Sequence, residues 1–113
     1  MTIKVTPREL SGVVVLDMSG RITLGESSAR LREMVRDLLS QGKKNILLNL
    51  GDVSYIDSSG LGELVASFTT VKNQGGQLKL LNLTKKVSDL LQVTRLFTVF
   101  EVHDNEAAAI QSF

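Results

Sequence analysis

The spacing of apolar residues alternates along the chain between strand-like and helix-like stretches. Ile3-Lys4-Val5-Thr6 alternates apolar and polar, as a half-buried strand does. Pro7 has no N–H and suits an edge strand or its end. Glu9-Leu10-Ser11-Gly12 reads as a turn, and Val13 to Met18 as a β-branched, central strand. So short a connection predicts an antiparallel hairpin. Ser19 to Glu26 leaves the sheet, with Thr23 and Glu26 at capping-box spacing. The helix that follows places Leu31, Met34, Val35, Leu38 and Leu39 on one face. Arg30, Arg32, Glu33, Arg36 and Asp37 fall mostly on the other, a solvated face. Gly42 stands where a left-handed residue ends a helix.

Ile46 to Leu50 is a short apolar run suited to a buried strand. Beyond it Leu61, Leu64, Val65, Phe68 and Val71 recur at helical intervals, predicting a helix to about Asn73. That stripe should face the sheet, with Glu63 off it and tolerant of substitution. Gln74-Gly75-Gly76 breaks the helix, and Leu78 to Leu83 is a fourth strand. Thr84 to Gln92 is a short helix with Val87, Leu90 and Leu91 inward. Leu96-Phe97 leads to a last strand, Val99 to Val102. Asp104 can cap a terminal helix with Ala107, Ile110 and Phe113 on one side. Strands alternating with helices predict an α/β fold with right-handed crossovers. The sheet is mixed and mostly parallel, with one antiparallel edge strand and about four helices. One domain spans residues 1–113.

Composition removes several functions. The net charge of +1 offers no electrostatic footprint for a nucleic acid. Tryptophan is absent and aromatics are few, which argues against base stacking. No cysteine means no disulfide and no thiolate site, consistent with a reducing compartment. The first ten residues lack the apolar core of a secretory signal, and no aliphatic run could cross a bilayer. The expected setting is the cytoplasm, with no direct membrane insertion.

The segment Tyr55-Ile56-Asp57-Ser58-Ser59-Gly60-Leu61-Gly62 sits where a strand hands over to a helix. Asp57, Ser58 and Ser59 are all N-cap residue types, with Ser59 the serine more suited to capping. Two hydroxyls are thus presented at a helix N-terminus and at the carboxyl end of a strand, where sites form in open α/β sheets. Asp57, Ser58 and the single His103 tempt a triad reading. Neither serine has the Gly-x-Ser-x-Gly elbow, however, and His103 reads as a surface or turn histidine. Gly60-x-Gly62 lacks the third glycine of a dinucleotide fingerprint, because Val65 stands in its place. One histidine without cysteine gives composition no case for a metal site, and no cofactor is expected. The plainer reading is a helix cap with two packing glycines. Yet one cap residue suffices, and glycine in a helix costs about 1 kcal/mol relative to alanine. Two glycines suggest close approach of another backbone or of a partner.

Asp57-Ser58-Ser59-Gly60-Leu61-Gly62 resembles the Asp-Ser-Ser/Thr-Gly-aliphatic-Gly/Ala signature of the STAS domain. It looks most like the bacterial anti-sigma-factor antagonists of the sporulation and stress-response type. The element order, Leu48-Asn49-Leu50 and Gly75-Gly76 extend the likeness over essentially the whole chain. The resemblance implies a regulatory domain rather than an enzyme. It implies binding to an anti-sigma factor that is also a serine kinase, with release of the sigma factor. Phosphorylation of Ser58 would end that binding, and a serine phosphatase would restore it. The same resemblance groups Asp57, Ser59, Gly60, Leu61 and Gly62 as partner contacts. It adds a second contact loop at Gly20-Arg21-Ile22-Thr23, where many members carry Gly-x-Leu-Asp and Thr23 replaces the aspartate. With no appended segment, a free-standing antagonist is expected. The alternative within the family is an accessory subunit of a membrane transporter, or part of a stress-signalling scaffold.

Overall fold

A computed structural model describes residues 3–113. The elements are β1 (Lys4–Leu10), β2 (Val13–Ile22), α1 (Glu26–Ser40), β3 (Asn45–Ile56), α2 (Ser58–Asn73), β4 (Gln77–Leu81), α3 (Lys85–Val93), a 3-10 turn (Leu96–Thr98), β5 (Val102–His103) and α4 (Glu106–Gln111). The strands lie side by side in chain order, with β1 antiparallel to β2 and every other pair parallel. The predicted α/β class, the mixed sheet with its antiparallel edge strand and the four α-helices are all present.

Strand alternation sorts the core into two layers. Val14, Leu16 and Met18 of β2 join Ile46, Leu48 and Leu50 of β3 under α1, α2 and α3. Val13, Val15, Leu47 and Leu81 point to the opposite face, where α4 covers them with Ala109. That helix spans only six residues. The rest of the second face is polar, held by Arg8 between Asp17 and Glu106 and by Asn49 on Asp17.

Several local expectations are corrected. Glu9 and Leu10 belong to β1, leaving Ser11 and Gly12 as the turn. Ser19 to Ile22 stays in the sheet, because β2 pairs with β3 as far as Ile22↔Ile56. Thr23 and Glu26 form no capping box: Gly25 is the N-cap of α1 and no side chain caps it. The fourth strand ends at Leu81 because Asn82 turns left-handed, with φ of 57°. The last strand is only Val102–His103, so Val99 and Phe100 lie ahead of it, although Phe100 is buried. Asn105 rather than Asp104 caps α4, and Ala109 rather than Ala107 faces the sheet.

The α2 stripe is oriented as expected: Leu61, Leu64 and Val71 are buried, with Val65 and Phe68 partly so. Glu63 is not tolerant surface. It is 8% exposed, accepts from Arg32 of α1 at 3.1 Å and accepts from the buried Ser67 hydroxyl at 3.3 Å. Glu63→Ala would strand that hydroxyl and unpair Arg32. A loss of about 1–3 kcal/mol is expected, the cost of buried groups left unsatisfied, measured by urea unfolding.

Candidate functional site

The long strands β2 and β3 end side by side, and so they deliver two loops to one place. Gly20 sits near the end of β2 with φ of 113°, a conformation other residues rarely adopt, and its carbonyl accepts from the Ser54 hydroxyl. Arg21 is exposed and pairs in register with Tyr55 of β3. Thr23 follows β2. Its N–H donates to the Ser27 hydroxyl at 2.8 Å, and its carbonyl accepts from Ser27 and Ser28 at 3.0 and 2.7 Å. The first turn of α1 therefore folds back on Thr23 in place of the capping box. Leu24 comes next, 78% exposed.

Asp57 joins this loop to α2. It is the N-cap residue, and one carboxylate oxygen accepts from the Gly60 N–H at 2.7 Å. The other accepts from the Leu24 N–H at 3.0 Å. Its own N–H donates to the Ile22 carbonyl. Those bonds from Gly60 and then Leu24 hold the Asp57 carboxyl below its usual range, because they stabilise the anion. Ser59 therefore does not cap the helix; Asp57 holds that place.

The two glycines differ in purpose. A Cβ built at Gly60 would overlap the Ile22 carbonyl oxygen and stand 2.8 Å from its carbon. The close approach anticipated from the sequence is thus the protein's own β2 backbone. A Cβ at Gly62 would meet nothing within 4 Å. Gly60 and Leu61, grouped with the contact residues by resemblance, are turned inward and buried. Ser58 and Gly62 are exposed, and Ser59 is half-buried. Among the described residues neither serine hydroxyl is occupied by a hydrogen bond. Ser58 stands at the first position of a sixteen-residue helix, where free N–H groups and the positive end of the macrodipole favour an anion.

His103 lies elsewhere, at the far edge of the sheet on β5. Its Nε2 meets both Glu101, at 2.6 Å, and the Ser112 hydroxyl, at 3.4 Å. One nitrogen shared by both groups cannot relay a proton between them, so no triad is assembled there. Among the described residues no three acidic or histidine side chains gather as metal ligands. No helix among them is long and apolar enough to cross a membrane.

Glu101 also makes stability depend on acidity. Lys79, buried under Phe113, binds it at 2.9 Å, and with His103 it lowers the Glu101 pKa from 4.5 to about 2. The unfolded chain takes up this proton near 4.5, the native state only near 2. The resulting stability is present above 4.5 and is lost as pH falls through about 2. Glu101→Gln should flatten the unfolding free energy across that window, as read from urea midpoints at successive pH values.

Leu24 was not picked out from the sequence as a site residue, and Tyr55 entered only as the first residue of the junction segment. Both are exposed apolar side chains flanking the Asp57 junction. The available signal was an apolar residue, Leu24, between Thr23 and Gly25 in a loop.

A family model described as the STAS domain matches residues 4–109. The chain is 34% identical to the anti-sigma-B factor antagonist of Bacillus subtilis, over 98% of this chain and 100% of that protein. An anti-sigma factor antagonist from Mycobacterium paratuberculosis superposes with a TM-score of 0.84 at 18% identity, covering 97% of this chain and 92% of that one. The Bacillus cell fate determinant SpoIIAA in its phosphorylated form superposes with a TM-score of 0.74 at 21% identity, covering 96% and 98%.

Proposed function

The chain belongs to the STAS domain family, and from that premise we propose that it is an anti-sigma-factor antagonist switched by phosphorylation of Ser58. The antagonist role rests on a relative that is alike from end to end and is named for that role. The switch rests on one observation: Ser58 is an exposed, unoccupied hydroxyl at a helix N-terminus that Asp57 bolts to the neighbouring loop.

In this reading the domain is regulatory and acts in the cytoplasm. It binds an anti-sigma factor that is also a serine kinase, and so frees the sigma factor. The binding surface is the exposed part of the junction: Arg21, Thr23 and Leu24 on the loop, and Ser58, Ser59 and Gly62 on α2. Because Asp57 presets both loops, little ordering entropy is lost when the partner docks. A serine phosphatase reverses the modification.

The test is phosphopeptide mass spectrometry of the protein purified from its own host. Phosphate on Ser58 in wild type, and its absence in Ser58→Ala, is the expected result. Phosphorylation that Ser59→Ala alone abolished would move the switch to the second serine. A pull-down that returned a transporter ATPase and no kinase would replace the antagonist role with the accessory-subunit one.

A further inference from the structure

Packed side by side, α1 and α2 leave a cleft of about 200 Å³ between them. Arg32 and Arg36 form one wall, Ala66 and Thr70 the other, with Glu63 among its lining residues. Arg32 is paired with Glu63. Arg36 is exposed and has no ion-pair partner among the described residues. Two like charges four residues apart destabilise a helix by a few tenths of a kcal/mol. One buried carboxylate answers only the first of them, so the cleft keeps a net positive charge.

The α2 wall differs from an ordinary solvated helix face. Its exposed positions from the N-terminus to Thr70 are Ser58, Gly62, Ala66, Thr69 and Thr70, none of them charged. Ser58, Gly62, Ala66 and Thr70 follow one another at four-residue intervals and so form one row along the helix. The row begins at the proposed switch and ends in the cleft.

We propose that this cleft receives an acidic segment of the anti-sigma factor, its carboxylates meeting Arg36 and the outer edge of Arg32. The proposal rests on the antagonist reading and names the chemistry of the partner's contacting surface. The argument is charge complementarity: a neutral, small-residue wall admits close backbone approach, and the facing arginine wall selects the sign. It also gives the phosphate a role at a distance. Ser58 and Ala66 are eight residues apart, about 12 Å along the helix axis. That is about one and a half times the screening length in physiological salt, about 8 Å. A phosphoserine of about −1.5 to −2 charges would therefore add only a weak, largely screened repulsion in physiological salt, and a stronger one at low salt, toward a segment already chosen for its negative charge.

The test measures binding to the purified anti-sigma factor kinase of the same host, by calorimetry in about 50 and about 300 mM NaCl. Arg36→Glu should weaken binding about tenfold or more at low salt, and less at high salt, with its melting temperature unchanged or slightly raised as the like-charge pair is removed. Arg30→Glu makes the same change in net charge on α1 but lies outside the cleft. It should bind within about twofold of wild type. Arg36→Glu binding as tightly as wild type would overturn the proposal. Equal weakening by both variants would also overturn it, because the effect would then belong to the overall field. Failure of the wild-type protein to bind the kinase at all would remove the antagonist reading and this proposal with it.

Discussion

Gly60→Ala should cost about 3 kcal/mol or more, at or above the upper end of what overpacking costs. The added methyl would overlap the Ile22 carbonyl oxygen and stand 2.9 Å from the Ile22 Cγ2. Neither obstacle can swing aside easily. The carbonyl belongs to β2, pairs in register with β3 and accepts from the Asp57 N–H. Making room means pushing α2 off the sheet, which breaks that bond and loosens the Asp57 bridge to Leu24. The same substitution two residues later has the opposite sign. A methyl at Gly62 meets nothing, so Gly62→Ala should stabilise α2 by about 0.5–1 kcal/mol through helix propensity. Urea unfolding of the pair checks both. A Gly60→Ala protein as stable as wild type would mean that α2 does not press on the β2 backbone.

Phosphorylation of Ser58 should lower affinity for the kinase by about 100-fold or more, while leaving the fold nearly unchanged. Within the domain two effects oppose each other. The helix N-terminus attracts the phosphate by about 0.3–1 kcal/mol at an exposed site, and the neighbouring Asp57 carboxylate repels it. Ser58 is exposed, so the added bulk meets no packed neighbour. The proposed complex has no such balance. There the phosphate must be desolvated against a surface shaped for a hydroxyl, and a charge left unpaired in an interface costs about 2–5 kcal/mol. Affinity should therefore fall from wild type to Ser58→Asp to phosphoserine, because aspartate carries less charge and less bulk. Ser58→Ala should bind like wild type and resist phosphorylation. Titration calorimetry gives the order, and circular dichroism checks the fold. A phosphorylated domain that unfolded, or that bound as tightly as before, would contradict this account.

The element order and the location of the junction were legible in the residues alone. Apolar spacing acts over three or four positions, and so it reported α1, α2, α3 and the apolar first halves of the central strands, but not their continuation to Ile22 and Ile56. Left-handed glycines at Gly42 and Gly75 marked two helix ends for an equally local reason. The polar segment from Asp57 announced a helix N-terminus because capping is a bond to the next turn. Elements near an end, or only two residues long, were misplaced: β5 and the cap of α4 depend on which groups the sheet leaves unpaired. Tertiary contact decided the rest. Asp57 lies 33 residues from Leu24 and Glu63 lies 31 from Arg32, and nothing local in either pair announces the other. The two glycines of the motif look equivalent in the chain. Only the approach of β2 separates them, making Gly60 a requirement of packing and leaving Gly62 on the open surface. Local pattern reports which face of an element is buried; what lies against that face is set by neighbours distant in the chain.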